Sequence, residues 1–278
     1  MTLTLTKASN FTIEQLTDIY NRSRKGYLVP MQMTSEALAG YIRHYDLALE
    51  HSFVALVDDE VSGLIMLGVR PNRSWVTRLG VNNEQRGAGI GRRLVERLLE
   101  ESDQLRIPLN ILEVIIGNDP AHRLFLESGF VQVRKLLILQ RPAGGPLAPS
   151  IPADSLSREE IFACLDSRRG RQPWSNETES YQHVEHLYGF SLRMDNGERL
   201  WIVYEASGEK LSRLTYHPGD ENPVNGLTAL LQRLHQRHPE LATTTENISA
   251  EDPALPAFFS LGYSAAFQRI EMVRALED

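Results

Sequence analysis

Three glycines in the stretch RGAGIG, Gly87, Gly89 and Gly91, lie between Arg86 and Arg92. They run straight into an amphipathic pattern that continues to about Ser102. A helix N-terminus presents unpaired N–H groups and the positive end of the helix dipole. Glycines ahead of it remove side chains that would block an oxyanion, and they tolerate unusual dihedrals. The stretch is therefore a candidate phosphate cradle. A nucleoside-triphosphate loop needs Lys followed by Ser or Thr after its last glycine. Arg92 and Arg93 stand there instead. A dinucleotide fingerprint needs a further glycine or alanine where this chain has Leu94, and it needs a clean βαβ opening. The first reading fails and the second is weak.

Two other residue types could do chemistry near such a cradle. Glu113 interrupts the apolar run LNILEVII, Leu109 to Ile116. A carboxylate on an apolar strand is costly unless it is exposed or partnered. That makes it a candidate general base, or the partner of a cation such as Arg78. Tyr27 lies in the apolar loop YLVPMQM and carries a transferable proton, although a packed aromatic is the more ordinary role for it.

The elements that must position these groups follow from periodicity. Phe11, Ile13, Leu16, Ile19 and Tyr20 recur at helical spacing, and a second helix is expected from Ser35 to about Tyr45, capped by Thr34 or Ser35. Ser52 to Val57 and Val61 to Val69 read as a hairpin, and Trp75 to Val81 as a third strand. The glycine loop and its helix come next. Leu109 to Ile116 suits a central strand. DPAHRLFLESGF reads as a helix capped by Asp119, with Pro120 first and Gly129 closing it. VQVRKLLIL is a final strand. The order α-α-β-β-β-α-β-α-β describes an α/β fold, a mixed β-sheet flanked by helices.

The same order recurs. TRLGV, from Thr77, resembles SRLTY, from Ser212, and DPALPAFFSLGY begins 133 residues after DPAHRLFLESGF. Two matched segments in one order suggest a tandem duplication. Between the halves, Pro142 to Pro152 carries four prolines and two glycines. It reads as a linker between domains spanning 1–141 and 153–278.

Bulk composition is that of ordinary globular material, with 42% apolar and 23% charged residues. A net charge of -7 argues against a general nucleic-acid binder. The single cysteine, Cys164, permits no intrachain disulfide and no cysteine zinc cluster. It sits in an apolar helix pattern as core filler. His183 and His186 lack a visible third ligand, so no metal is expected. The opening MTLTLTKASN lacks a signal-peptide pattern, and no stretch approaches the roughly 20 apolar residues that span a bilayer. A cytoplasmic location, away from membranes, is the expectation.

Together these motifs resemble the GCN5-related N-acetyltransferase (GNAT) superfamily. Arg86-Gly87-Ala88-Gly89-Ile90-Gly91 matches its Arg/Gln-x-x-Gly-x-Gly/Ala motif. Leu112 to Phe130 matches its strand, Asn, and helix ending in Gly-Phe. The resemblance is close over about residues 1–140 and covers 150–278 in outline. It implies acetyl-CoA as cofactor and an amine, on a small molecule or peptide, as acceptor, with direct N-acetyl transfer. Leu79, Gly80 and Val81 would pair with the pantetheine arm. Arg86, Gly87, Ala88, Gly89, Ile90 and Gly91 would hold the pyrophosphate through backbone N–H groups, with Arg92 adding charge. Asn118 would bond the cofactor, and Phe125 would line its thiol end. Leu112-Glu113-Val114 reproduces a signature in which Glu acts as base. The chain departs from the family at Phe125, where the usual acid is Tyr. Tyr27 is one candidate substitute, water could instead protonate the departing thiolate, and the alternative to catalysis is a non-catalytic acyl-CoA-binding regulatory module.

The second half keeps the fold but not the loop. GDENPV, Gly219 to Val224, would set Asp220 and Glu221 against a pyrophosphate, and Pro223 removes a donor. This half is expected not to bind coenzyme A. Packing on the first domain, shaping the acceptor pocket or forming a homodimer are the tasks left to it. Trp174, in QPWSNE, is a recognition element if exposed and an anchor if buried.

Overall fold

The computed structural model describes residues 2–144, 152–208 and 210–276. Two compact units divide the chain, Met1–Val133 with Ile270–Asp278, and Arg134–Arg269.

The first unit opens with β1 (Leu3–Lys7), which precedes the first expected helix. Leu3 and Leu5 alternate with threonines, and β1 pairs antiparallel with β2 (Phe53–Val57). α1 (Ile13–Ser23) is closed at its start by a capping box between Thr12 and Gln15. α2 (Ser35–His44) is capped by Thr34. Asp58 and Asp59, both at positive φ, turn β2 into β3 (Glu60–Arg70). β4 (Arg73–Val81), α3 (Ile90–Gln104), β5 (Leu109–Ile115) and α4 (Asp119–Glu127) follow. The N-cap of α4 is Asn118, not Asp119, because the Asn118 side chain accepts from the Ala121 N–H. The strand order is β1-β2-β3-β4-β5, with β12 (Ser264–Ala275) beside β5. Leu94, Leu98, Leu112, Val114 and Phe125 join α3, β5 and α4 in one core.

β4 and β5 run parallel and pair only at Ser74↔Asn110 and Trp75↔Ile111. Beyond Trp75 they diverge. The register of β3 on β4 slips between Leu64 and Met66, so Arg78 and Leu79 together oppose one residue. This is a β-bulge, and it holds Arg78 at φ +56.

The second unit repeats this plan. It contains β6 (Val131–Arg141) from Arg134 onward, β7 (Asp154–Ser155), α5 (Arg158–Asp166), β8 (Leu187–Arg193), β9 (Arg199–Ser207), β10 (Lys210–His217), α6 (Pro223–Arg237), β11 (Ala242–Ser249) and α7 (Leu255–Ser260). Its strand order is β6-β11-β10-β9-β8-β7. β10 and β11 are parallel and pair only at Lys210↔Ala242 and Leu211↔Thr243 before diverging. A matching bulge places Arg213 at φ +54.

Each unit therefore takes its last strand from the other half of the sequence. β6 from Arg134 serves the second unit, and the chain from Ile270 serves the first. Periodicity locates strands but not their partners, so division into 1–141 and 153–278 does not anticipate this exchange. Residues 145–151 of the expected linker lie outside the described residues. Cys164 is buried beside Ile161 and Leu165, and burial pushes its thiol pKa up. Trp174 is fully buried, which favours the anchor reading.

Candidate functional site

The divergence of β4 from β5 opens a cavity of about 710 Å³ in the first unit. Leu79, Gly80 and Val81 line one wall, and Gly117, Asn118, Pro120, Ala121 and Leu124 another. Arg86, Gly87, Gly89, Ile90 and Gly91 close one end, with Gln85 beside them. The α1 terminus and the following loop supply Ser23, Arg24, Gly26, Tyr27 and Leu28. The cavity wall thus carries two arginines and no carboxylate.

The glycine turn is built from backbone conformations that other residues resist. Gly87 has φ +84 and Gly89, the N-cap of α3, φ +79. Gly89 offers no side chain to the first-turn N–H groups, and that turn carries no acidic residue. The positive end of α3 is therefore left open to an anion. Gly80 has a different constraint, since a Cβ there would meet Ser23 Oγ at 2.2 Å. Its bareness lets the end of α1 rest on β4.

Arg24 was not anticipated from sequence. Its Nη2 donates to the Leu79 carbonyl at 3.1 Å, and its guanidinium lies 4.3 Å from the Tyr27 ring centre. Arg86 folds back, giving Nε to the Val81 carbonyl and Nη2 to the Ser23 carbonyl. Each carbonyl keeps a second lone pair for a bound chain. A single arginine at a helix end has no motif around it, so only the fold singles out Arg24.

Tyr27 and Asn118 meet here. Asn118 Nδ2 donates to Tyr27 Oη at 2.9 Å, while Asn118 Oδ1 caps α4. The phenol accepts that bond, so its own proton is available to another acceptor.

Glu113 lies half-buried on β5 and accepts from Trp75 Nε1 at 2.6 Å. The Trp75 ring contacts Tyr41 and Tyr45. Tyr41 Oη is bonded to Thr77 Oγ1, and burial raises its pKa well above the ordinary phenol value against the opposing charge of Arg78. Arg78 forms no ion pair with Glu113. Its guanidinium stacks on Tyr41 at 3.9 Å, and Nη1 donates to Tyr20 Oη.

Four sequence-predicted positions stand apart from the cavity, and Glu113 on β5 is one of them. Ala88 does not line it. Arg92 pairs with Glu127 and borders a separate groove with Asp119 and Arg123. Phe125 packs in the core at 5% exposure, edge-on to Phe130, and Leu124 takes the place on the cavity wall.

In the second unit the corresponding turn is closed. Asn222 caps α6 by accepting from the Asn225 N–H. The Asp220 N–H donates to Glu198, whose carboxylate a Cβ at Gly219 would strike at 2.6 Å. No group of three or more His, Cys, Asp or Glu placed to hold a metal occurs among the described residues.

Comparison with known proteins agrees with this geometry. Residues 13–130 match the Acetyltransferase (GNAT) family. A GCN5-related N-acetyltransferase from Sphaerobacter thermophilus superposes with TM-score 0.75 at 14% identity, covering 99% of this chain and 96% of its own. A tandem GNAT protein from the clavulanic acid biosynthesis pathway gives TM-score 0.68 at 15% identity, covering 100% and 99%. A GCN5-related N-acetyltransferase from Anabaena variabilis gives 0.59 at 16%, covering 99% and 73%. No curated protein matches the chain. Residues 13–130 are thus similar to the GNAT acetyltransferase family, and the chain has the fold of tandem GNAT proteins. The family makes acyl transfer its general chemistry.

Proposed function

We propose that the first unit binds acetyl-CoA and transfers its acetyl group to an amine. The observation that carries this reading is the cavity between β4 and β5, where an uncapped α3 N-terminus and two arginines face a wall without carboxylates. Such a site fits a pyrophosphate at one end and an extended arm along Leu79 to Val81. Bound acetyl-CoA would supply an acetyl thioester, whose transfer forms an amide C–N bond and breaks the C–S bond, one proton leaving nitrogen and one reaching sulfur.

The chain's own residues divide the remaining work. Glu113 takes the one proton that the neutral attacking amine loses as the amide forms, directly or through one water. Tyr27 gives its proton to the sulfur, and Asn118 holds the phenol in the donating orientation. The N–H groups of Gly87, Gly89, Ile90 and Gly91 hold the pyrophosphate, with the charge of Arg86 beside them. Phe125 has no proton to give, and its burial in the core supports Tyr27 in that task. The same burial favours the alternative of a non-catalytic acyl-CoA-binding module if Tyr27 does not act.

No described helix is long and apolar enough to cross a membrane, and we place the protein in the cytoplasm. Thiol release from acetyl-CoA across a panel of amines tests the activity. Turnover with one amine class is expected. Tight coenzyme A binding without turnover on any amine would select the binding module.

A further inference from the structure

Arg78 and Arg213 occupy matched bulges, at φ +56 and +54. Non-glycine residues rarely hold this conformation, and it persists only where the surroundings enforce it. Both arginines are redirected by the same device, yet their surroundings differ. Arg213 Nε donates to Glu205 at 3.1 Å, and Glu205 also accepts from Ser212. Glu205 lies on β9 opposite Ser212. The position opposite Thr77 on β3, equivalent in the first unit, is Met66. The first unit has kept the cation and replaced its carboxylate by a thioether.

Arg78 consequently has no carboxylate partner among the described residues. One bond is made, from Nη1 to Tyr20 Oη, and the ring of Tyr41 lies against the guanidinium face. Nε is buried without a hydrogen-bond partner. Nη2 makes no hydrogen bond among the described residues, and the side chain is part-buried beside the cavity lining. Stacking on aromatic rings orients a guanidinium while leaving its edge donors free. The residue next in sequence, Leu79, lines the cavity. Tyr41 also contacts Trp75, whose indole N–H holds Glu113. A charged donor and a carboxylate are thus set around one aromatic pair at the divergence of β4 and β5.

We infer that the acceptor is an amine bearing a carboxylate, an amino acid in class, and that Arg78 binds that carboxylate through its open guanidinium edge. This rests on the acetyl-transfer reading above and narrows its substrate. Arg78 is a specificity residue here, since the group it holds does not react. In the second unit Glu205 fills the corresponding place from within the chain.

The test uses the full chain with acetyl-CoA and the protein amino acids, each paired with its carboxamide. Thiol release is followed for every pair. A charge-assisted hydrogen bond of ordinary strength predicts kcat/KM about 10- to 100-fold higher for the acid than for its amide. Arg78→Met should bring that ratio close to one. Met66→Glu, which recreates the pair of the second unit, should do the same. Because the readout is a ratio within each variant, a partial loss of folded protein cancels. In parallel, N-acetyl amino acids and N-acetyl amino amides are titrated into protein saturated with coenzyme A.

Thiol release with equal rates for acids and amides would overturn the carboxylate assignment and leave acetyl transfer standing. No thiol release, with N-acetyl amino acids bound in preference to amides and the preference lost in Arg78→Met, would uphold the carboxylate site and remove the acetyl-transfer reading. Neither turnover nor preference would overturn both.

Discussion

The two units carry the same turn between a strand and a helix, and they finish it in opposite ways. In the first, the N-cap of α3 is Gly89, with no side chain to satisfy the N–H groups behind it and no acid in the first turn. In the second, Asn222 satisfies the start of α6 itself, and Asp220 and Glu221 stand in front of it. The bulges diverge in the same sense. Arg78 rests on tyrosine rings, while Arg213 is held by Glu205. One copy leaves donors open at both ends of its strand divergence. The other closes them with its own side chains. A duplicated fold thus separates into a copy that can receive anions and a copy that has internalised them.

The largest effect should come from closing the open copy. Gly89→Asp puts a carboxylate at the start of α3 and a Cβ on a residue at φ +79. Coenzyme A affinity should fall by more than about 10²-fold, since the dipole and hydrogen bonds that would attract pyrophosphate are already taken. Asp220→Gly, the converse change in the second unit, should leave coenzyme A affinity unaltered. Calorimetry on the full chain reads both, and equal effects from the two would erase the distinction between the copies.

Tyr27→Phe follows in size. Losing a positioned acid should lower kcat on the order of 10²-fold, with coenzyme A affinity retained. Steady-state kinetics with direct calorimetry separates the two quantities. A kcat equal to that of the parent protein would remove Tyr27 from the chemistry.

Smaller still is the change that makes the second unit resemble the first. Glu205→Met removes the carboxylate from Arg213, whose side chain is 14% exposed. Unfolding by denaturant should show a loss of about 1–3 kcal/mol, below the full penalty of a deeply buried pair because solvent reaches both groups. No loss would mean that Arg213 needs its carboxylate no more than Arg78 does.

Acid provides the finest comparison. In the second unit, burial lowers the His235 pKa to about 3. The unfolded chain then binds more protons than the folded one between that value and the ordinary 6.5. The stability contributed by neutral His235 is complete above about pH 6.5 and is lost as pH falls towards 3. In the first unit Glu101 is desolvated, which alone would raise its pKa. Hydrogen bonds from Lys7, His51 and Arg97 outweigh this and hold it at about 2. Its contribution is complete above about 4.5 and is lost only as pH falls towards 2. Hydrogen exchange measured between pH 7 and 5 should therefore show α6 losing protection before α3. Substituting His235 by Gln should remove that early loss, and an unchanged profile would exclude His235 as its source.

Much of this contrast was legible in the residues. RGAGIG against GDENPV names the open and the closed turn, because glycine, aspartate and proline act locally on dihedrals, charge and donors. The helices and central strands follow from their apolar spacing. β1 does not stand out although Leu3 and Leu5 alternate, since five residues form a weak signal beside a strong helix. The exchange of last strands was not legible, because strand pairing is decided by distant segments. Glu113 was picked out for its charge on an apolar strand, and its bond from Trp75 required the parallel register of β4 and β5. Arg78 was recognised as a cation near Glu113, but the bulge at φ +56 carries it to Tyr20 and Tyr41 instead. Phe125 illustrates the reverse case. The motif marks it as a site position, and the apolar ring turns into the core where a hydroxyl would have had reason to face the cavity.

The central claim is that one copy of the duplicated fold receives the cofactor. Calorimetric titration of coenzyme A into the full chain tests it most directly through the stoichiometry. One saturable site per chain is expected, lost in Gly89→Asp. Two sites per chain, or a single site that survives that substitution, would contradict it.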